Sequence, residues 1–154
     1  MKYRKLNKYK YELMESLEVK FRDIEINLDN EFEDFLVVSH FIYLDPNRIY
    51  INKGYAWDGA SGPAIDTKNF MIPSIVHDAL YQLIKYELLD ISERKKADQI
   101  LKELCLRCGM SKFRATYVYL SVRMFGGLTL KKKLKKKKIY EVFLLKKEIK
   151  WRKN

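Results

Sequence analysis

Apolar positions recur along this chain in two rhythms. In the first half they fall in short runs of aromatic and β-branched residues mixed with charge, as in YELMESLEVKFRDIEINL and FEDFLVVSHFIYL, which predicts strands. Asp45-Pro46-Asn47 predicts a turn, because proline presets φ and Asx side chains brace the bend, so HFIYL and RIYIN read as a β-hairpin. Residues 54–66 read as a loop. From residue 72 the period lengthens: Ile72, Ile75, Val76, Ala79, Leu80, Leu83 and Ile84 follow helical spacing, with Pro73 suited to the first helical position. Asp90 and Glu93 have capping-box spacing for a second helix with the stripe Ala97, Ile100, Leu101, Leu104, Cys105 and Cys108. Gly109 predicts its stop, Ser111 an N-cap, and a third helix running to the Gly126-Gly127 pair. Strands followed by helices predict an α+β fold: N-terminal antiparallel strands and hairpins, three helices and a basic C-terminal tail.

The length of 154 residues suits one domain, and an apolar content of 47% is enough for a core. No hydrophobic run approaches a membrane span, and the basic N-terminus lacks the apolar stretch of a secretory signal. Two cysteines exclude a disulfide scaffold and predict a reducing compartment, the simplest being a cytoplasm. The formal charge of +11 is concentrated in residues 131–154, which hold twelve Lys or Arg against two Glu. The chain therefore divides into a nearly neutral domain, 1–130, and a basic tail, 131–154. Lys131, Lys132, Lys133, Lys135, Lys136, Lys137 and Lys138 would neutralise the phosphates of nucleic acid or of an anionic membrane. The alternative is a tail that closes the core with Ile139, Val142, Phe143 and Trp151 and turns its lysines outward.

The stretch YAWDGASGP, from Tyr55 to Pro63, fits neither helix nor strand, and HDALY follows with one of only two histidines. On a helical wheel Ser74, His77, Asp78 and Tyr81 lie opposite the apolar stripe, and Tyr81 neighbours His77 at i+4. If the first two helices form a hairpin, His77 and Asp98 reach nearly the same level along the axes. A carboxylate there would hold the imidazole tautomer while the other ring nitrogen takes a proton from water. Alternatively Asp98 pairs only with Arg94, four residues before it. Asp78 and Asp58, with carbonyls of the loop between Trp57 and Gly62, would suit Ca²⁺, whereas a loop bent by Gly59 and Gly62 can equally be a tight connection. Cys105 and Cys108 read as core thiols, and His40 as structural.

GYAWDGASGP, VHDALY, RKKAD and VRMFGG, in this order, resemble the phage and bacterial family called domain of unknown function 1353, over about Ile49 to Gly127. The resemblance implies a phage or prophage origin, hence a place in the host cytoplasm or the virion, with other virion proteins as partners. A second resemblance, of a glycine-bearing loop, HD-x-x-Y and AD on the next helix, is to phospholipase A enzymes. It implies that His77 activates water, Asp98 orients it, Tyr81 steadies Asp98, and Asp78 binds Ca²⁺ with loop carbonyls. The loop departs from the phospholipase pattern, since Asp58 and Ser61 have no counterpart there. Arg94, Arg123, Trp57, Gly59, Ser61 and Gly62 complete the expected site by position in the motifs. The leading expectation is a Ca²⁺-assisted His–Asp hydrolase of esters. Its competitor is a non-enzymatic virion component or host-factor binder contacting nucleic acid or membrane through the tail. A third reading, a phosphohydrolase set of His40, His77, Asp78 and Asp98, would need His40 on a helix.

Overall fold

The computed structural model describes residues 1–7, 10–28, 36–37, 41–59 and 67–130. His40, Ser61, Gly62 and the tail, including Lys131–Lys138, lie outside the described residues. Within them the strands are β1 (Tyr3–Lys5), β2 (Tyr11–Leu13), β3 (Leu17–Lys20), β4 (Leu36–Val37), β5 (Ile42–Asp45), β6 (Arg48–Ile51) and β7 (Ala56–Trp57). The helices are α1 (Met71–Lys85), α2 (Arg94–Arg107) and α3 (Lys112–Leu130). This is the α+β order that the pattern predicts.

The strands pair antiparallel in two sheets, ordered β1-β2-β7 and β3-β6-β5-β4. The β5–β6 hairpin turns at Pro46-Asn47, with Asp45 opposite Arg48. Asp45 makes the turn: its Oδ1 accepts from the Asn47 amide at 3.0 Å and its Oδ2 from Arg48 Nε at 2.8 Å. Alternation then sends Ile42, Leu44, Ile49 and Ile51 inward, where they are fully buried. They meet Ile75, Val76, Ala79, Leu80 and Leu83 of α1 and Ala97, Ile100 and Leu104 of α2 in one core. A second cluster of Phe70, Leu101, Cys105, Met110, Ala115 and Val118 joins α2 to α3. Phe70 precedes α1 and Cys105 lies near the end of α2, so the two helices run antiparallel, as the hairpin reading requires. Burial pushes the Cys105 thiol up to about 12, which suits a core thiol rather than a nucleophile.

Three boundaries differ from the sequence reading. Residues 54–66 are not all loop, because Ala56–Trp57 pairs with β2. The reason is the indole: Trp57 is buried against Tyr11, with ring centroids 5.3 Å apart, and it takes its backbone into the sheet edge. Glu93 does not complete a capping box. Asp90 Oδ1 caps the Ser92 amide at 2.8 Å, while Glu93 is buried, accepts from the Asn27 amide at 2.9 Å and pairs with Lys96 at 3.0 Å. Finally, α3 does not stop at Gly126-Gly127 but continues to Leu130. Gly109, by contrast, is a true stop, with φ at +83° and open space where a side chain would stand.

Candidate functional site

The face of α1 that lies opposite its apolar stripe is not a solvated face. Ser74, His77 and Tyr81 are all buried, and only Lys85 on the helix is exposed. The cover comes from three directions. The strand before α1 supplies Trp57, whose Nε1 donates to Ser74 Oγ at 3.2 Å, and Ser74 in turn donates to the Met71 carbonyl. Helix α2 supplies Asp98 and Arg94, and α3 supplies Arg123 and the glycine pair.

Asp98 is the centre of the arrangement. It has no exposed surface, and an isolated carboxylate there would be strongly destabilising. Three donors compensate. His77 Nε2 lies 2.8 Å from Oδ1, the Tyr81 hydroxyl donates to the same oxygen at 2.7 Å, and Arg123 donates to Oδ2 at 2.7 Å. Burial alone would raise the Asp98 pKa, but the hydrogen bonds from His77, Arg123 and Tyr81 outweigh it and hold the carboxyl below its ordinary value. Burial pushes the Tyr81 hydroxyl well above the ordinary phenol range, so it serves as an O–H donor. The hydrogen bond to Asp98 raises the Arg123 guanidinium in the same sense.

The predicted Arg94–Asp98 pair is present but secondary, at 3.9 Å. Arg94 mainly bridges: its Nε donates to the Tyr81 hydroxyl at 3.1 Å, and its terminal nitrogen donates to the Val122 and Arg123 carbonyls of α3 at 2.9 and 2.7 Å. This explains the glycine pair. A Cβ on Gly126 would stand 2.6 Å from the Tyr81 hydroxyl, and one on Gly127 would stand 3.1 Å from an Arg94 nitrogen. The two glycines form a slot in α3 for Tyr81 and Arg94. The sequence pattern reads them as a helix end, but α3 runs on through them to Leu130.

The geometry fixes the chemistry of His77. An ionised carboxylate only accepts, so Nε2 carries the hydrogen, and in the neutral form of the ring Nδ1 is the acceptor. Its ring also lies against Tyr81, with centroids 4.1 Å apart. Asp78 sits one residue on, and its Oδ2 accepts from the Asp58 amide at 3.3 Å. Residues 57–59 thus lie against the first half of α1, with Gly59 buried at φ +69°. The contact to Asp78 is an N–H, which suits a carboxylate and not a cation. Among the described residues no group of three or more His, Cys, Asp or Glu converges as for a metal. Asp78 itself fits as an oxygen ligand; the Asp58 amide does not.

HDALY, RKKAD and VRMFGG therefore meet at one buried network. Residues 35–122 match the family described as Protein of unknown function (DUF1353), over more than half of the chain. The chain belongs to that family. The matched DUF1353 region holds His77, Tyr81, Arg94 and Asp98 and ends at Val122, whose carbonyl receives Arg94. Arg123 and the glycine slot follow directly. No curated protein and no solved structure matches the chain.

Proposed function

We propose that this DUF1353 protein is a hydrolase in which His77 is the general base and Asp98 its positioning partner, acting on an ester of the phospholipid type. The observation that carries the reading is the 2.8 Å contact from His77 Nε2 to a wholly buried, ionised Asp98. A histidine held this way has its tautomer chosen in advance. Nδ1 takes a proton from water as the water oxygen attacks the ester carbonyl carbon. The C–O bond to the leaving alcohol then breaks, and the imidazolium returns the proton to that oxygen. Tyr81, Arg94 and Arg123 keep Asp98 ionised and in place and touch no substrate. A Ca²⁺ ion at Asp78 is a separable part of the proposal, and no step above depends on it.

The test is hydrolysis of phospholipid vesicles and of a soluble fatty-acid ester by the full-length protein. His77→Asn should lower kcat/KM by about 10²–10⁴-fold, the usual worth of a general base. Unchanged turnover in that variant, or no turnover by the wild-type protein on either ester, would contradict the proposal. A second reading, a non-catalytic binding protein, draws on a different feature, the exposed side of α3.

A further inference from the structure

Helix α3 is apolar on both sides. Its inner side places Ala115, Val118 and Val122 in or against the second core cluster, with Gly126 on Tyr81. Advancing about 100° per residue, Phe113, Tyr117, Leu120, Met124 and Leu128 fall within one narrow arc on the opposite side. These residues are exposed, Phe113 at 85%, Met124 at 71% and Leu128 at 64%, and Phe125 extends the patch. A helix that is apolar all round is ordinarily covered all round. The arc is about 22 Å long, counting 1.5 Å per residue from Phe113 to Leu128.

Charge selects the occupant. Between Lys112 and Leu130 there is no Asp or Glu, while Lys112 and Arg114 are basic (Arg123 being taken up by Asp98), and the stretch 131–154 with its excess of lysines follows at once in the sequence. A second copy seated on this face would bring two basic helices and two basic segments together. The chain's own residues 131–154, folded back, would bring many positive charges onto a positive helix. A negatively charged surface has neither problem. No helix among the described residues is long and apolar enough to cross a membrane, so the helix would lie along a bilayer rather than span it.

We propose that the outer face of α3 docks on an anionic lipid surface, with Phe113, Leu120, Met124 and Leu128 entering the headgroup boundary and Lys112 and Arg114 at the phosphates. The inference stands apart from the hydrolase reading, since a protein without activity would bind equally well. The test is co-sedimentation of the full-length protein with vesicles of phosphatidylcholine alone, and of phosphatidylcholine and phosphatidylglycerol in about equal parts. The wild-type protein should partition onto the mixed vesicles. Leu120→Lys with Met124→Lys adds two positive charges while it removes the apolar contact, and it should nevertheless lower partitioning by more than about tenfold. Both side chains are exposed, so circular dichroism and the melting temperature should not move. Full binding by the double variant would overturn the proposal, as would wild-type protein that binds DNA but no vesicles. A wild-type dimer that the variant dissociates would assign the face to a second copy. A lowered melting temperature in the variant would assign it to the chain's own cover.

Discussion

Asp98 accepts hydrogen bonds from three side chains on two other helices and is shielded from water, so its removal is not a local event. Asp98→Ala would leave Arg123 and Arg94 facing an empty buried site, and breaking a buried pair in this way costs about 3–5 kcal/mol. Asp98→Asn, which keeps the shape, should destabilise less but should still reduce hydrolysis, because the amide no longer fixes the tautomer. The pH dependence follows from the sign of the shift. The folded-state pKa of Asp98 is depressed, so its contribution is fully present above the ordinary carboxylate range and is lost as pH falls through that range towards the folded value. Urea midpoints across acidic pH should therefore fall more steeply for the wild-type protein than for Asp98→Asn. Parallel curves would show that Asp98 is not ionised in the fold. His77 is itself only 8% exposed, so His77→Asn should also cost about 1–3 kcal/mol, and activity must be compared where both proteins are folded.

The elements carry the site through close approach. At Gly126 a methyl group would collide with a Tyr81 ring whose hydroxyl is already held by Asp98 and Arg94. Gly126→Ala should destabilise by about 1–3 kcal/mol, as overpacking does, although alanine is the better helix former. A melting temperature that rises would mean that α3 can move away and that the slot is loose. Much of this was legible in the chain. The spacing of His77, Tyr81 and Asp98 follows from helical period and hairpin length alone, and Asp45-Pro46-Asn47 announces its own turn. The glycine pair was not legible, because a glycine needed for a neighbour's side chain looks like one needed for its own φ. Nor was Glu93, whose partner Asn27 lies far away in sequence. The burial of the polar face of α1 was hidden as well, since periodicity describes one helix and says nothing of what packs on its other side.

At the scale of the molecule, apolar exposure and charge are neighbours in the sequence: the exposed arc of α3 is followed directly by the lysine-rich residues 131–154. Binding to any polyanion should weaken steeply with salt, because it releases counterions and is screened. DNA binding should vanish at high salt, whereas vesicle binding should keep a residue due to the apolar arc of α3; equal loss of both would remove that distinction. For calcium, Asp78 would have to exchange the Asp58 amide for oxygen ligands. Stabilisation should therefore set in only near about 10⁻⁴–10⁻³ M, the range of weak sites, and then grow with the logarithm of concentration. A melting temperature flat across that range would remove the cation and leave the His77–Asp98 pair untouched.

The pair itself can be observed without a substrate. In a long-range ¹H–¹⁵N spectrum of the full-length protein, taken at a pH where the ring is neutral, His77 should show a protonated Nε2 and an unprotonated Nδ1. Asp98→Asn should shift the Nε2 proton or release the ring into a mixture of tautomers. That result would establish an imidazole oriented by a buried carboxylate, with Nδ1 ready to take a proton. A ring protonated at Nδ1 instead, or one that ignores Asp98→Asn, would contradict the account.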